Sequence, residues 1–293
     1  MKIGLQIANV SWSGGAVRMA TTLRDLVTSA EEAGFDAIGV ADHVWQSPYM
    51  GGPEQPQLEC LTTLGIVAAH TRRARLTPLV LAATYRPAAI IAKGIATLDV
   101  LSGGRAMLGL GAGHYEAEAR GMGLPFPPLA DRYAALEETL QVCLRLWSGE
   151  QGDEQSFAGQ HVQMERALNL PQSLTRPHPP ILVGGSGERK TLRLVARYAD
   201  ACGLYPLPDL SHKLDVLRRH CDEVGRDYDT IEKTCTTHFR IGVDGSTAAD
   251  AIASLRDLAN QGIETVFGIV AGSEPVRMVE IVGREVIPAV MED

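Results

Sequence analysis

Short apolar runs alternate with amphipathic stretches eight times along the 293 residues, and that alternation constrains the fold more than anything else in the chain. The runs Lys2–Ile7, Ala37–Val40, Arg75–Ala82, Ala106–Leu110, Ile181–Val183, Ala201–Leu204, Lys233–Ile241 and Thr265–Ile269 read as strands. Helical patterns occupy Leu23–Ala33, with Gly34 as its C-cap, then Leu58–Thr71, Pro87–Leu101 and Asp131–Trp147. Others start directly after Gly187 and cover Leu210–Val224, Thr247–Gln261 and Glu274–Val290. Parallel strands need crossover helices and eight of them close a sheet on itself, so the pattern predicts an α/β fold, a (β/α)8 TIM barrel. The competing architecture is an open doubly wound sheet. That sheet usually has fewer strands and a G-x-G-x-x-G turn after the first, and Ala8–Ala16 carries no such turn.

The rhythm breaks once. Residues 149–180 separate strands four and five by far more than a usual connection, and they read as an excursion within a single domain spanning 1–293. Phe157–Met164 alternates around Gly159 and fits a hairpin, and Pro171, Pro177, Pro179 and Pro180 hold an extended return. A formal charge of −8 argues against nucleic acid or an anionic membrane as partner. The five cysteines form no C-x-x-C pair, which fits a reducing cytosol and opposes a metal–thiolate site. The chain opens directly on a strand, and no apolar run approaches the roughly 18 residues of a membrane helix. The expectation is a cytoplasmic protein acting on a small molecule, with a homodimer left open.

In a barrel of this kind function sits at the C-terminal ends of the strands. After strand five, Gly184, Gly185, Ser186 and Gly187 lead into a helix, an arrangement that can cradle a phosphate on main-chain N–H groups and is equally compatible with an ordinary tight βα turn. After strand two come Asp42, His43, Val44 and Trp45. His43 is placed for proton transfer, or else is a structural imidazole paired with a carboxylate such as Asp42. After strand four, Gly109, Gly111 and Gly113 leave room for a flat ring, or simply form a glycine-rich turn. His114 and Glu116 follow as acid–base candidates. The loops Gln46–Pro56 and Gly121–Pro128 read as lids or as tolerated insertions. His43, His114, Asp42 and Glu59 could share a face, but strand one ends in Ile7-Ala8-Asn9 without an H-x-H, and no metal is expected. His70, His161, His212, His220 and His238 are assigned to surface or packing.

Taken together, Ala30–Asp36, Ala41-Asp-His43, Leu58–Leu64, Lys93–Arg105, the Gly109–Gly113 run and Ile181–Asp200 resemble the luciferase-like flavin/deazaflavin oxidoreductase superfamily, in particular its branch using coenzyme F420. The resemblance covers nearly the whole chain. It implies a cofactor ring across the C-terminal face, bordered by Leu79, Gly111, Ala112 and Gly113, with the phosphate on Val183, Gly184, Gly185, Ser186 and Gly187. It implies His43 beside the ring, a bulge with a non-proline cis peptide within Thr77–Leu81, and His114 as a second proton donor. Trp45, Tyr115 and Glu116 would then meet the substrate. Lys190 and Arg193 either face the coenzyme's acidic tail or are ordinary helix surface. Sugar-phosphate dehydrogenases of the superfamily carry a glutamate where this chain has His114, which argues against glucose 6-phosphate. The expected activity is F420-dependent hydride transfer. An FMN-dependent monooxygenase and a flavin-binding protein without turnover are the alternatives.

Overall fold

The computed structural model describes residues 1–149, 156–242, 244–270 and 272–291, so residues 150–155 of the expected excursion lie outside it, as do 292 and 293 of the expected domain. Nine parallel strand segments follow the order β3-β2-β1-β11-β10-β9-β8-β5-β4. These are β1 (Lys2–Ile7), β2 (Ala37–Val40), β3 (Arg75–Pro78), β4 (Leu81–Ala82), β5 (Leu108–Gly111), β8 (Ile181–Gly184), β9 (Ala201–Leu204), β10 (Glu232–Phe239) and β11 (Thr265–Val270). The first and last members of that order, β3 and β4, are the two halves of strand three. Leu76 pairs with Ala106, its N–H donating to the Arg105 carbonyl and its carbonyl accepting from Met107, and this closes the ring. The fold is therefore the expected TIM barrel, with strand three interrupted at a cis Leu79–Val80 peptide.

The helices α1 (Gly15–Glu32), α2 (Cys60–His70), α3 (Ala88–Ser102), α4 (Glu116–Gly121), α5 (Leu129–Ser148), α6 (Thr191–Tyr198), α7 (Leu210–Val224), α8 (Ala248–Asn260), α9 (Pro275–Ile281) and α10 (Ile287–Met291) complete the molecule. A π-helical turn over Val282–Val286 joins the last two. The excursion carries the expected hairpin, β6 (Phe157–Ala158) against antiparallel β7 (Gln163–Met164). Its return is pinned by the buried Asp99 carboxylate, which accepts from the N–H groups of Leu174 and Thr175 at 2.7 and 2.9 Å. Among the described residues no helix is long and apolar enough to cross a membrane.

Side chains alternate across each strand, and this sorts core from site. Ile3, Leu5 and Ile7 of β1, Leu108 and Leu110 of β5, and Ile181 and Val183 of β8 are buried in the main hydrophobic cluster. The residues between them face the barrel axis. Met107, Leu182 and Ala201 pack there with Leu79 and Val80 above them, and fully buried Phe267 fills the same interior beside Gly4. Each of the larger of these side chains, such as Met107, Leu182 and Phe267, contributes roughly 1.5–3 kcal/mol by leaving water.

Several boundaries differ from the sequence pattern. Helix α1 starts at Gly15, well before Leu23, because its first two turns bury no side chain and so show no apolar face. Helix α6 starts at Thr191, so residues 188–190 form a turn between it and the glycines. The glycine run of β5 also serves strand three. A Cβ on Gly109 would sit 1.9 Å from the Pro78 carbonyl oxygen, and one on Gly111 would meet Val80 at 2.9 Å. These glycines admit the inward step of strand three. Gly109→Ala should therefore destabilise the barrel by about 1–3 kcal/mol, the usual cost of overpacking. Urea denaturation checks this, and an unchanged midpoint would contradict the close approach.

Candidate functional site

A cavity of about 570 Å³ opens at the C-terminal end of the barrel. Its floor is the inward set of strand residues: Gln6 and Ala8, Ala41, Leu79 and Val80, Gly111, Gly184, Gly203, Thr236 and Ile269. Of the residues expected at the site, His43, Leu79, Gly111, Ala112, Gly113, His114, Tyr115, Gly184, Gly185, Ser186 and Gly187 all line this cavity.

Three expected residues do not line it. Val183 is buried on the opposite face of β8, as strand alternation requires. The Trp45 ring lies on Gly121, where a Cβ would come within 2.0 Å of it. Glu116 pairs with Arg120 one turn along the surface of α4, at 2.7 Å and with more than half of its side chain exposed. Conversely, His238, expected at the surface or in packing, is an exposed inward residue of β10 and lines the cavity together with Thr236. The pattern Thr234, Thr236, His238 against Cys235 and Phe239 carried that signal.

Glu118 is not among the residues the sequence pattern marks for the site. Helix α4 places it two residues from Glu116, on the opposite side, and buries it completely. Its carboxylate accepts from His43 Nδ1 at 3.0 Å, from the N–H groups of Val44 and Trp45 at 2.5 and 2.9 Å, and from the Tyr85 hydroxyl at 2.9 Å. Burial alone would raise the Glu118 carboxyl, but the bonds from His43, Trp45 and Tyr85 outweigh it and hold the group below the usual carboxylate range. An ionised carboxylate only accepts, so Nδ1 of His43 carries the proton and Nε2 is the nitrogen left for chemistry. The carboxylate partner of His43 is thus Glu118. Asp42 is engaged elsewhere: it takes the Arg86 guanidinium at 2.9 and 2.7 Å and the Ala82 N–H at 3.0 Å.

The His114 ring stands edge-on to His43 with centroids 5.7 Å apart. Burial, together with His43 and Arg132, lowers His114 below the usual imidazole value against the pull of Glu118. Across the cavity, Gly185 (φ +122°) turns the chain at the end of β8. Gly185 N–H donates to the Gly203 carbonyl, and among the described residues no group accepts from the N–H of Ser186 or Gly187. A Cβ on Gly187 would sit 2.9 and 3.0 Å from Thr191 Oγ1 and Tyr133 Oη, two hydroxyls that bond each other at 2.8 Å. A small oxyanion fits this cradle. Its donors come from the loop, since α6 begins only at Thr191. The Lys190 ammonium lies 5.3 Å over the Tyr133 ring at the cradle's rim, and Arg193 is exposed. On the floor, the buried Gln6 Nε2 donates to the Leu79 carbonyl at 3.3 Å while Gln6 Oε1 has no partner, a free acceptor for a bound group.

Residues 1–279 match the family model for luciferase-like monooxygenases. The chain belongs to that family. Over 218 residues it is 34% identical to the F420-dependent glucose-6-phosphate dehydrogenase of Nakamurella multipartita, covering 72% of this chain and 60% of the relative. The enzyme of the same name from Microbacterium testaceum is 29% identical over 78% of this chain and 66% of its own length. This luciferase-like chain thus aligns with about two thirds or less of these relatives. Among solved structures, an F420-dependent secondary alcohol dehydrogenase superposes with a TM-score of 0.83 at 18% identity, over 99% and 98% of the two chains. A monooxygenase from Streptomyces bottropensis gives 0.81 at 19%, over 98% and 99%. Such low identities show the shared barrel.

Removing the carboxylate would leave two main-chain donors, an imidazole and a phenol without their acceptor. Glu118→Ala should cost about 3 kcal/mol in chemical denaturation. Because the folded carboxyl is lowered, its stabilisation is full above pH about 4.5, the ordinary glutamate value, and is lost as pH falls further. The stability gap between wild type and Glu118→Gln should therefore narrow below that pH, and a constant gap would contradict the assignment.

Proposed function

We propose that this protein is an F420-dependent oxidoreductase that moves a hydride between the deazaflavin and a small organic substrate. The observation that carries the reading is the pairing of unused main-chain donors at Ser186 and Gly187 with a fixed imidazole, His43, across one cavity. The coenzyme named for the sequence relatives is the same. When bound, the reduced deazaflavin supplies a hydride.

The chain's own residues supply position and protons. Gly185, Ser186 and Gly187 would hold the phosphate, and Leu79, Val80, Gly111, Ala112 and Gly113 would border the ring. Gln6 Oε1 offers an acceptor to a ring N–H. Glu118 fixes the His43 tautomer and orients Nε2, which can then hold or pass a proton. His114, lowered below the usual imidazole value, is neutral near pH 7 and serves as the second proton-carrying group. The barrel holds these groups before the coenzyme arrives, so orientation supplies much of the rate. The five cysteines are buried and unpaired, which supports a cytoplasmic setting. An FMN-dependent monooxygenase is the second reading, supported by the luciferase-like monooxygenase family that residues 1–279 match.

Titration of the purified protein, followed by quenching of coenzyme fluorescence, separates the two. F420 should bind at least tenfold more tightly than FMN, and the reverse order would reject the deazaflavin assignment. Replacing Gly187 by Leu should weaken coenzyme binding by a similar factor, because its side chain would fill the cradle. His43→Ala should slow hydride transfer in stopped flow by about 10²–10⁴-fold, the usual contribution of a positioned proton donor, with coenzyme affinity changed far less. An unchanged rate would remove His43 from the chemistry.

A further inference from the structure

We infer that the substrate of this site is electrically neutral, a ketone, aldehyde or alcohol with apolar substituents, and that the pocket does not accept a phosphorylated sugar. The inference rests on the coenzyme reading above. None of the 27 lysines and arginines is among the described residues that line the cavity. The residues outside the described set, 150–155, 243, 271, 292 and 293, contain no lysine, arginine or histidine, so they bring no cation to it.

Of the cations close to the cavity, Arg86 is neutralised, while Arg132 and Lys190 lie over the Phe126 and Tyr133 rings without entering the lining. Arg86 forks onto Asp42 and also reaches Glu59 at 2.7 Å, so two carboxylates already neutralise it. Arg132 lies 4.0 Å over the Phe126 ring and donates to the Gly113 carbonyl at 2.6 Å. The unused main-chain donors at Ser186 and Gly187 are those that the coenzyme phosphate would take. His114 and His238, both lowered by burial, carry no charge at neutral pH. The ionised Glu118 carboxylate adds a negative charge at the His43 side. A phosphate dianion entering this cavity would lose its hydration and touch no lysine or arginine among the described residues of its lining, which is strongly unfavourable.

The remaining wall suits a neutral guest. Tyr49, Met50, Tyr115, Leu204, Tyr205 and Ile269 line it with apolar and aromatic surface, and the phenols can donate single hydrogen bonds to an oxygen. Reduction of a ketone here adds a hydride to the carbonyl carbon and a proton to its oxygen. Both electrons come from the reduced deazaflavin, which is oxidised, and the proton comes from the imidazole side of the cavity. Alcohol oxidation is the reverse.

The test starts from protein loaded with F420, with loading shown by fluorescence quenching. Small neutral ketones and alcohols and glucose 6-phosphate are then titrated in turn, at low and high salt, reading both the bound-coenzyme fluorescence and the thermal midpoint. The expected result is that neutral compounds perturb the bound coenzyme with affinities that change less than twofold with salt, while glucose 6-phosphate at millimolar concentration does neither. Glucose 6-phosphate binding that weakens steeply with salt would overturn the inference and leave the coenzyme reading intact. Silence from every neutral compound would overturn it as well. Failure of F420 to bind at all would instead overturn the reading on which it rests.

Discussion

One buried carboxylate organises the mouth of this barrel. Glu118 receives the His43 imidazole, the Val44 and Trp45 amides and the Tyr85 hydroxyl, and so joins the ends of strands two and three to the helix after strand four. Each donor would be costly to bury without an acceptor, and the carboxylate would be costly to bury without donors. The group is stable only complete. That mutual dependence holds the His43 ring in one orientation and one tautomer, which is what its proposed role as a proton-carrying group needs.

The opposite side of the cavity is built by main chain instead of side chains. Strand alternation sends Ile181 and Val183 into the helical shell and leaves Leu182 and Gly184 on the axis, so the cavity side of the β8 end presents little beyond backbone. Strand three steps inward between its two halves, carrying Leu79 and Val80 over the packed barrel interior, and the glycines of β5 make the space for that step. The result is a floor of mostly small and apolar residues between the His43 imidazole and the glycine turn after β8. Nothing in this arrangement needs a strong positive field, which is consistent with a chain of formal charge −8.

Much of this was legible in the sequence, because strands and βα turns are written in local pattern. The eight strand positions, with strand three read as one run, and the hairpin near Gly159 follow from spacing alone, whereas spacing left the glycines after β8 and His43 with two readings each. What escaped depends on contacts between distant segments. The early turns of α1 bury nothing and so carry no periodic mark. The role of Gly109 lies in the Pro78 carbonyl, which is thirty-one positions away in the chain. Glu118 was hidden beside Glu116, although an i,i+4 partner for Glu116 in Arg120 marked that residue as surface and pointed to the other face of the helix for the functional carboxylate. Alternation along β10 would likewise have placed His238 on the axis.

The central claim is that a planar redox coenzyme lies on this floor with its phosphate on the main chain of the β8 turn. A crystal structure with F420 bound tests it most directly. The account predicts phosphate oxygens within hydrogen-bond distance of the Ser186 and Gly187 N–H groups and the ring against Leu79 and Val80, within reach of His43. Coenzyme found with its phosphate away from that turn, or bound outside the cavity altogether, would contradict it.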